Sequence, residues 1–204
     1  MKFVKGELFH IYNRGNNRDK VFYSRRNYLF FLGKMNLYIS PYADIVAWYL
    51  MPNHFHLMVY VNEVELIPIT DPVANNDGVA VKARTLNQSI GIMLRSYTNA
   101  IQKQEGRTGA LFQEETKAIL LTDDISFTPS SFTTAFGTTI TAYQDDDKSY
   151  AEQCFHYIHQ NPVSSHLVKK PEDWEFSSYR DYCGLRKGKL VNRAIGMEFF
   201  KEER

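Results

Sequence analysis

The stretch ADIVAWYLMPNHFHLMVYV, residues 43–61, holds two β-type runs, Ala43–Met51 and His54–Val61, separated by Pro52-Asn53. Two such runs joined by a pair of turn formers read as a β-hairpin. An antiparallel pair in the middle of the chain decides the fold class, because the flanking segments must then be arranged around it. Upstream, Glu7–Arg14 alternates loosely and predicts a strand ending in the turn Gly15-Asn16-Asn17. Ser24 can cap a helix with the stripe Tyr28, Phe31, Leu32 and Met35, which Pro41 stops. Downstream, Thr85 to Gln88 is a capping-box pattern opening a helix with the stripe Leu86, Ile90, Met93, Leu94, Tyr97 and Ile101, ending near Gly106. Residues 109–121 read as another strand. A last long helix spans roughly Asp147–Gln160, burying Ala151, Cys154, Phe155 and Ile158, with Asn161-Pro162 at its end. Strands before and after helices, with a hairpin between, predict an α+β fold: an antiparallel sheet with helices on one or both faces.

The bounds around this core are simple. A chain of 204 residues, 44% hydrophobic and 14% aromatic, has material for one domain with a full core. It holds no run of 18 apolar residues, so a membrane span is not expected. The opening MKFVKGELFHIYNRG has no apolar h-region, and two cysteines, Cys154 and Cys183, make no disulfide framework, so a reducing cytoplasm is the expected location. The net charge of +1 is unevenly spread. Residues 1–38 carry eight Lys/Arg against two acids, residues 82–107 five against one, and residues 109–152 two against eight. That asymmetry can build one basic face suited to a polyanion, and equally it can be ordinary solvated helix faces. Residues 62–83 read as a loop; residues 122–143 hold ten Ser/Thr in 22 positions and read as a loop or insertion. The polar stretch from Pro171 carries Trp174, Phe176, Tyr179 and Tyr182 to pin it down.

Two residue groups can carry chemistry. On a strand, His54 and His56 stand at i and i+2 and share one face, leaving Phe55, Leu57 and Val59 to bury on the other. Two imidazoles side by side are the start of a metal site, although an H-x-H pair can equally be structural or merely exposed. Along the last helix, Gln153, Tyr157 and Asn161 share a polar edge at i, i+4, i+8. If that edge faces the histidines, it adds an amide oxygen as a third ligand and a tyrosine hydroxyl as a nucleophile. A tyrosine, with its ordinary pKa of about 10, needs nearby positive charge for that role. The structural alternative makes Tyr157 a core flank and Asn161 a helix C-cap. Tyr97 lies on an apolar stripe with Ile101 at i+4 and reads as core. His156 and His159 project from other helix faces, where partial exposure is expected. Arg14, Arg107 and Lys117 suit phosphate contacts.

The segment Trp48–Val59 closely resembles the histidine–hydrophobic–histidine strand of the Y1 transposase family, the single-tyrosine HUH nucleases (IS200-like). The segment Tyr157–Val163, YIHQNPV, is similar to the nucleophile helix of its REP-associated branch. Tyr12–Gly15, Gly106–Gln113 and Trp174–Tyr179 resemble further signatures of that branch, so the likeness runs from about residue 6 to 184 in the family's order. This outlines a domain over 1–184, with 62–83 a loop, 122–146 a Ser/Thr-rich insertion and 185–204 a C-terminal tail. The resemblance implies a ferredoxin-like α/β sandwich with a central antiparallel sheet. It implies His54, His56 and Asn161 as metal ligands and Tyr157 as nucleophile. The implied reaction is attack on single-stranded, hairpin-bearing DNA, giving a 5′-phosphotyrosine link and a free 3′-hydroxyl. Magnesium or manganese is the implied ion; two imidazoles also suit nickel or zinc in purified protein. The family works as monomers or homodimers.

The chain departs from that pattern at Glu114-Glu115-Thr116-Lys117, where a basic element is usual, at Ser164-Ser165-His166, and in the long Ser/Thr-rich segment. Lost positive charge weakens salt-sensitive DNA affinity. A domesticated protein that binds structured DNA without cutting is therefore the alternative. A metal hydrolase of small substrates lacks a general base near the histidines.

Overall fold

The computed structural model describes residues 1–67, 83–121, 131–133, 139–141 and 149–199. Four strands, β1 (Leu8–Arg14), β2 (Ala43–Met51), β3 (His54–Val61) and β6 (Lys117–Leu120), form an antiparallel sheet in the order β2-β3-β1-β6. With α1 (Arg25–Tyr38) after β1 and α2 (Leu86–Glu105) before β6, this is the ferredoxin-like order, and the α+β expectation holds. Two short ladders stand apart: β4 (Glu65–Leu66) with β5 (Arg84–Thr85), and β7 (Ser131–Thr133) with β8 (Thr139–Thr141). Residues 131–133 and 139–141 of the Ser/Thr-rich segment thus pair as strands within what the sequence reads as a loop or insertion. The rest of it, like residues 68–82 of the earlier loop, lies outside the described residues.

The central hairpin forms as read, with Met51 opposite His54 and a bulge between Ile45 and Ala47. Period-two alternation then sorts the sheet. Phe9, Ile11, Trp48, Leu50, Phe55, Leu57 and Val59 share one face, and α1 and α2 cover it: Phe31 of α1 meets Phe55 at 5.1 Å and Tyr97 of α2 at 4.9 Å between ring centres. Both helices start where the sequence puts their caps. The Asn27 side chain accepts from the Tyr23 and Ser24 amides at 3.0 Å. Thr85 and Gln88 close a reciprocal box at 3.2 and 3.0 Å. Gly106, at φ 60°, ends α2 in the left-handed conformation that glycine adopts without strain. Tyr97 is core as expected: it is fully buried, and its hydroxyl donates to the Val21 carbonyl at 2.8 Å.

The opposite face is covered by α3 (Tyr150–Ser164), which packs on β2 and β3. Ala151, Cys154, Phe155 and Ile158 are buried as predicted. The helix does not stop before Pro162, however. It continues to Ser164 with Pro162 inside it, and Asn161 is a helical residue rather than a cap. The strand expected over 109–121 is also shorter, with a bridge between Gly15 and Phe112 preceding the four residues of β6.

Beyond α3 the chain returns along β2. Ser178 and Asn192 donate backbone bonds to Trp48 and Ile45, and Leu50 donates to Phe176. Phe176 and Tyr182 are buried, and Asp181, itself 2% exposed, holds Arg186 at 2.6 Å and the Gly188 amide at 3.0 Å. Residues 185–199 include α5 (Arg193–Gly196) and reach β2 through the Asn192–Ile45 bond; α4 (Tyr179–Tyr182) precedes them. Cys154 and Cys183 are not joined in a disulfide. No described helix is long and apolar enough to cross a membrane.

Candidate functional site

The face of the sheet under α3 carries polar side chains in register. Across β1 and β3, His10 stands opposite Met58, Tyr12 opposite His56, and Arg14 opposite His54; on β2, Tyr49 stands opposite His56. The strand period that makes Phe55 and Leu57 core puts His54 and His56 on this face, as the sequence predicts. Both are buried, at 6% exposed. His56 is stacked between two tyrosines, Tyr12 at 5.0 Å and Tyr49 at 4.9 Å, with interplanar angles of 7° and 10°. Its Nδ1 lies 2.8 Å from Nε2 of His10, a fully buried residue that the sequence reading passed over. The alternation of Glu7–Arg14 contained the signal, since His10, Tyr12 and Arg14 fall on one side of that strand.

His54 is held at both ring nitrogens, Nδ1 at 2.7 Å from Oδ1 of Asn53 and Nε2 at 3.1 Å from the Tyr49 hydroxyl. Burial keeps it neutral, with its pKa down at about 4; the Asn161 amide opposes that shift and the Arg14 charge adds to it. Burial likewise lowers His10 to about 3, and it holds His56 well below the ordinary range, assisted by the charges His10 and His54 would carry. All three therefore offer neutral lone pairs near neutral pH, the form a metal requires.

The α3 edge meets these histidines. Tyr157 is half-buried, with its ring centre 5.5 Å from that of His56 and 6.3 Å from that of His10. Its hydroxyl bonds that of Tyr49, and burial raises its pKa while Tyr49 and Asn161 pull it back. Asn161, one turn on and 1% exposed, lies within reach of both His54 and Tyr157. Its Nδ2 makes no well-aligned hydrogen bond among the described residues. Gln153, a turn earlier, is half-buried. The expected four residues, His54, His56, Tyr157 and Asn161, thus converge within one chain, and Tyr49, Asn53, Tyr12 and His10 join them.

The predicted phosphate-binding cations divide. Arg14 lies beside His54. Lys117 stands opposite Tyr12 at the edge of the same face, but it is ion-paired with Glu115. Arg107 donates to the Tyr23 hydroxyl at 2.6 Å and pairs with Asp19 at 3.3 Å. The expectation of partial exposure holds for His156 but not for His159. That residue is 2% exposed, with Nε2 at 2.7 Å from the Ser178 hydroxyl, because the chain after α3 folds back over it.

A buried set of neutral imidazoles with an unsatisfied amide fits a divalent cation. Among the described residues no group of three or more His, Cys, Asp or Glu has a metal-holding arrangement, so the third protein donor here would be Asn161. Its amide reaches both His54 and Tyr157, and its oxygen is the atom that can serve as that donor.

No family model matches the sequence, and no curated protein does. Among solved structures, the fold is similar to that of a REP-associated tyrosine transposase bound to a REP hairpin, with a TM-score of 0.52 and 18% identity. The match covers 91% of this chain and 86% of that one, and at this identity it establishes a shared fold.

Proposed function

We propose that the protein is a Y1-type HUH nuclease, a strand transferase that cuts single-stranded, hairpin-bearing DNA with Tyr157 as nucleophile. The observation that carries this reading is the convergence of His54 and His56 on β3 with Tyr157 and Asn161 on α3, on a fold shared with a hairpin-bound transposase. Tyr157 Oη attacks the phosphorus, the bond to the 3′ oxygen breaks, and a 5′-phosphotyrosine and a 3′-hydroxyl result. Attack by a 3′-hydroxyl on that link rejoins strands without external energy.

His54, His56 and Asn161 would hold a divalent cation, magnesium or manganese in this reading. Bound there, the ion polarises the phosphate and offsets the burial that otherwise disfavours the phenolate. The protein's own contribution is orientation and charge. Tyr49 is hydrogen-bonded to the Tyr157 hydroxyl, and Arg14 adds positive charge beside His54. Tyr157 reaches the histidines of its own chain, which favours action by a monomer over a dimer that exchanges helices.

One observation favours the second reading, a structured-DNA-binding protein without cleavage: Lys117 is neutralised by Glu115 at the edge of the site. Labelled single-stranded hairpins incubated with Mn²⁺ or Mg²⁺ separate the two on a denaturing protein gel. The nuclease reading expects a covalent band with the wild type and none with Tyr157→Phe; a band persisting in that variant overturns it. Hairpin binding on a native gel with no covalent band under either metal establishes the second reading.

A further inference from the structure

A neutral imidazole binds a cation only at the nitrogen that carries no proton, so a metal-binding histidine must be held in the correct one of its two tautomers. For His54 the choice is legible. Its Nδ1 lies 2.7 Å from Asn53 Oδ1, and an amide oxygen only accepts, so Nδ1 carries the hydrogen and Nε2 the lone pair. That depends on which way the Asn53 amide faces, and a second contact decides it. Asn53 Nδ2 donates to the Arg18 carbonyl at 3.3 Å, a partner that cannot donate. With Nδ2 on Arg18, Oδ1 is on His54.

The Arg18 carbonyl is in place because of an unusual turn. Asn17 and Arg18 adopt φ values of 52° and 63°, a conformation that costs side-chain-bearing residues free energy. A Cβ at Gly15 would sit 2.0 Å from the Asp19 carbonyl oxygen, so the turn closes only around glycine. The Gly15 amide donates to the Asn53 carbonyl at 2.7 Å, and Val21 and Phe22 donate to Pro52, which locks this turn onto the β2–β3 turn. Arg107 ties Asp19 from the other side. Strain held in place by a ring of bonds implies a task for the turn.

We infer that Asn53, oriented by the Gly15–Asp19 turn, is a positioning residue that fixes His54 with Nδ1 protonated, so that its Nε2 lone pair is presented to a cation before the cation arrives. The inference rests on the metal-site reading above for its purpose, and it can be tested without it. Long-range ¹H–¹⁵N NMR of the metal-free full chain reports the tautomer of His54, and electron paramagnetic resonance of free Mn²⁺ reports affinity. The wild type is expected to hold His54 in the Nδ1–H form. Asn53→Ala is expected to yield a mixture of tautomers and to bind Mn²⁺ about 10- to 100-fold more weakly. Asn53→Asp keeps an acceptor for Nδ1–H but loses the donor to Arg18, so it restores the tautomer and most of the affinity; a residue that served only to clamp the turn would not be rescued this way. A wild-type His54 that is mixed or Nε2-protonated, or an Asn53→Ala protein with an unchanged tautomer, overturns the inference. Should the wild type bind no Mn²⁺, the metal-site reading fails, while the tautomer of His54 in wild type and variants still decides this one.

Discussion

The two faces of the sheet are buried to similar extents and built of opposite chemistry. Under α1 and α2, Phe31, Tyr97, Phe55 and Leu57 interlock, and the Tyr97 hydroxyl finds a backbone carbonyl. Under α3, His10, His54, His56 and Tyr49 are buried beside the half-buried Tyr157, and they bond chiefly to one another. Burying polar groups is costly unless each finds a partner, and apolar residues of similar volume are commonly as stable or more so. One face is thus built for stability, and the other buries polar groups at a cost in stability.

Substitutions should separate the two faces. The largest expected effect is on chemistry: Tyr157→Phe removes covalent adduct formation entirely, while denaturant unfolding shifts by no more than about 1 kcal/mol, the usual net value of one hydrogen bond. On the other face the result inverts. Phe31→Ala lowers unfolding free energy by about 3–5 kcal/mol through the cavity it leaves, and below the transition Tyr157 still forms its adduct. Acid offers a third comparison. His10 and His159 have folded pKa values lowered to about 3, below the unfolded value near 6.5. The unfolded chain therefore binds more protons as pH falls below 6.5, and each residue removes about 1.4 kcal/mol of stability per pH unit until its folded pKa is approached. Melting temperature measured from pH 7 to 4 should fall, and it should fall less steeply in His10→Gln. The smallest effect lies at the rim. Glu115→Gln frees Lys117, and the slope of log K against log salt for single-stranded DNA, read by fluorescence anisotropy, should steepen by about 0.7.

The sequence revealed most about the apolar face and the ends of the elements. The hairpin, both capped helices and the stripe of α3 follow from local periodicity and capping chemistry, and those signals act over a few residues. The pair His54 and His56 and the edge Tyr157–Asn161 were legible for the same reason, each lying on a single element. What stayed hidden depends on pairings between distant segments. His10 meets His56 only through the β1–β3 register, and His159 is buried only because Ser178 returns over it. The contacts of Arg107 with Asp19 and Tyr23 were hidden because nothing near it in sequence announces them. Helix α3 ran past the expected stop at Asn161-Pro162 and took the proline into its last turn.

The backbone bonds that residues 176–192 exchange with β2 bear on how the chain is made. An outer strand with bare amides and carbonyls is a template for another molecule's strand, and here Ile45, Trp48 and Leu50 are covered from within. The cover comes from more than a hundred positions downstream. During synthesis, therefore, the hairpin can zip as soon as it leaves the ribosome, yet its outer edge stays bare until Asn192 has emerged. Nascent chains stalled or truncated between about residue 62 and residue 192 should be the aggregation-prone species of this protein, and holding that edge is what a chaperone would do for it.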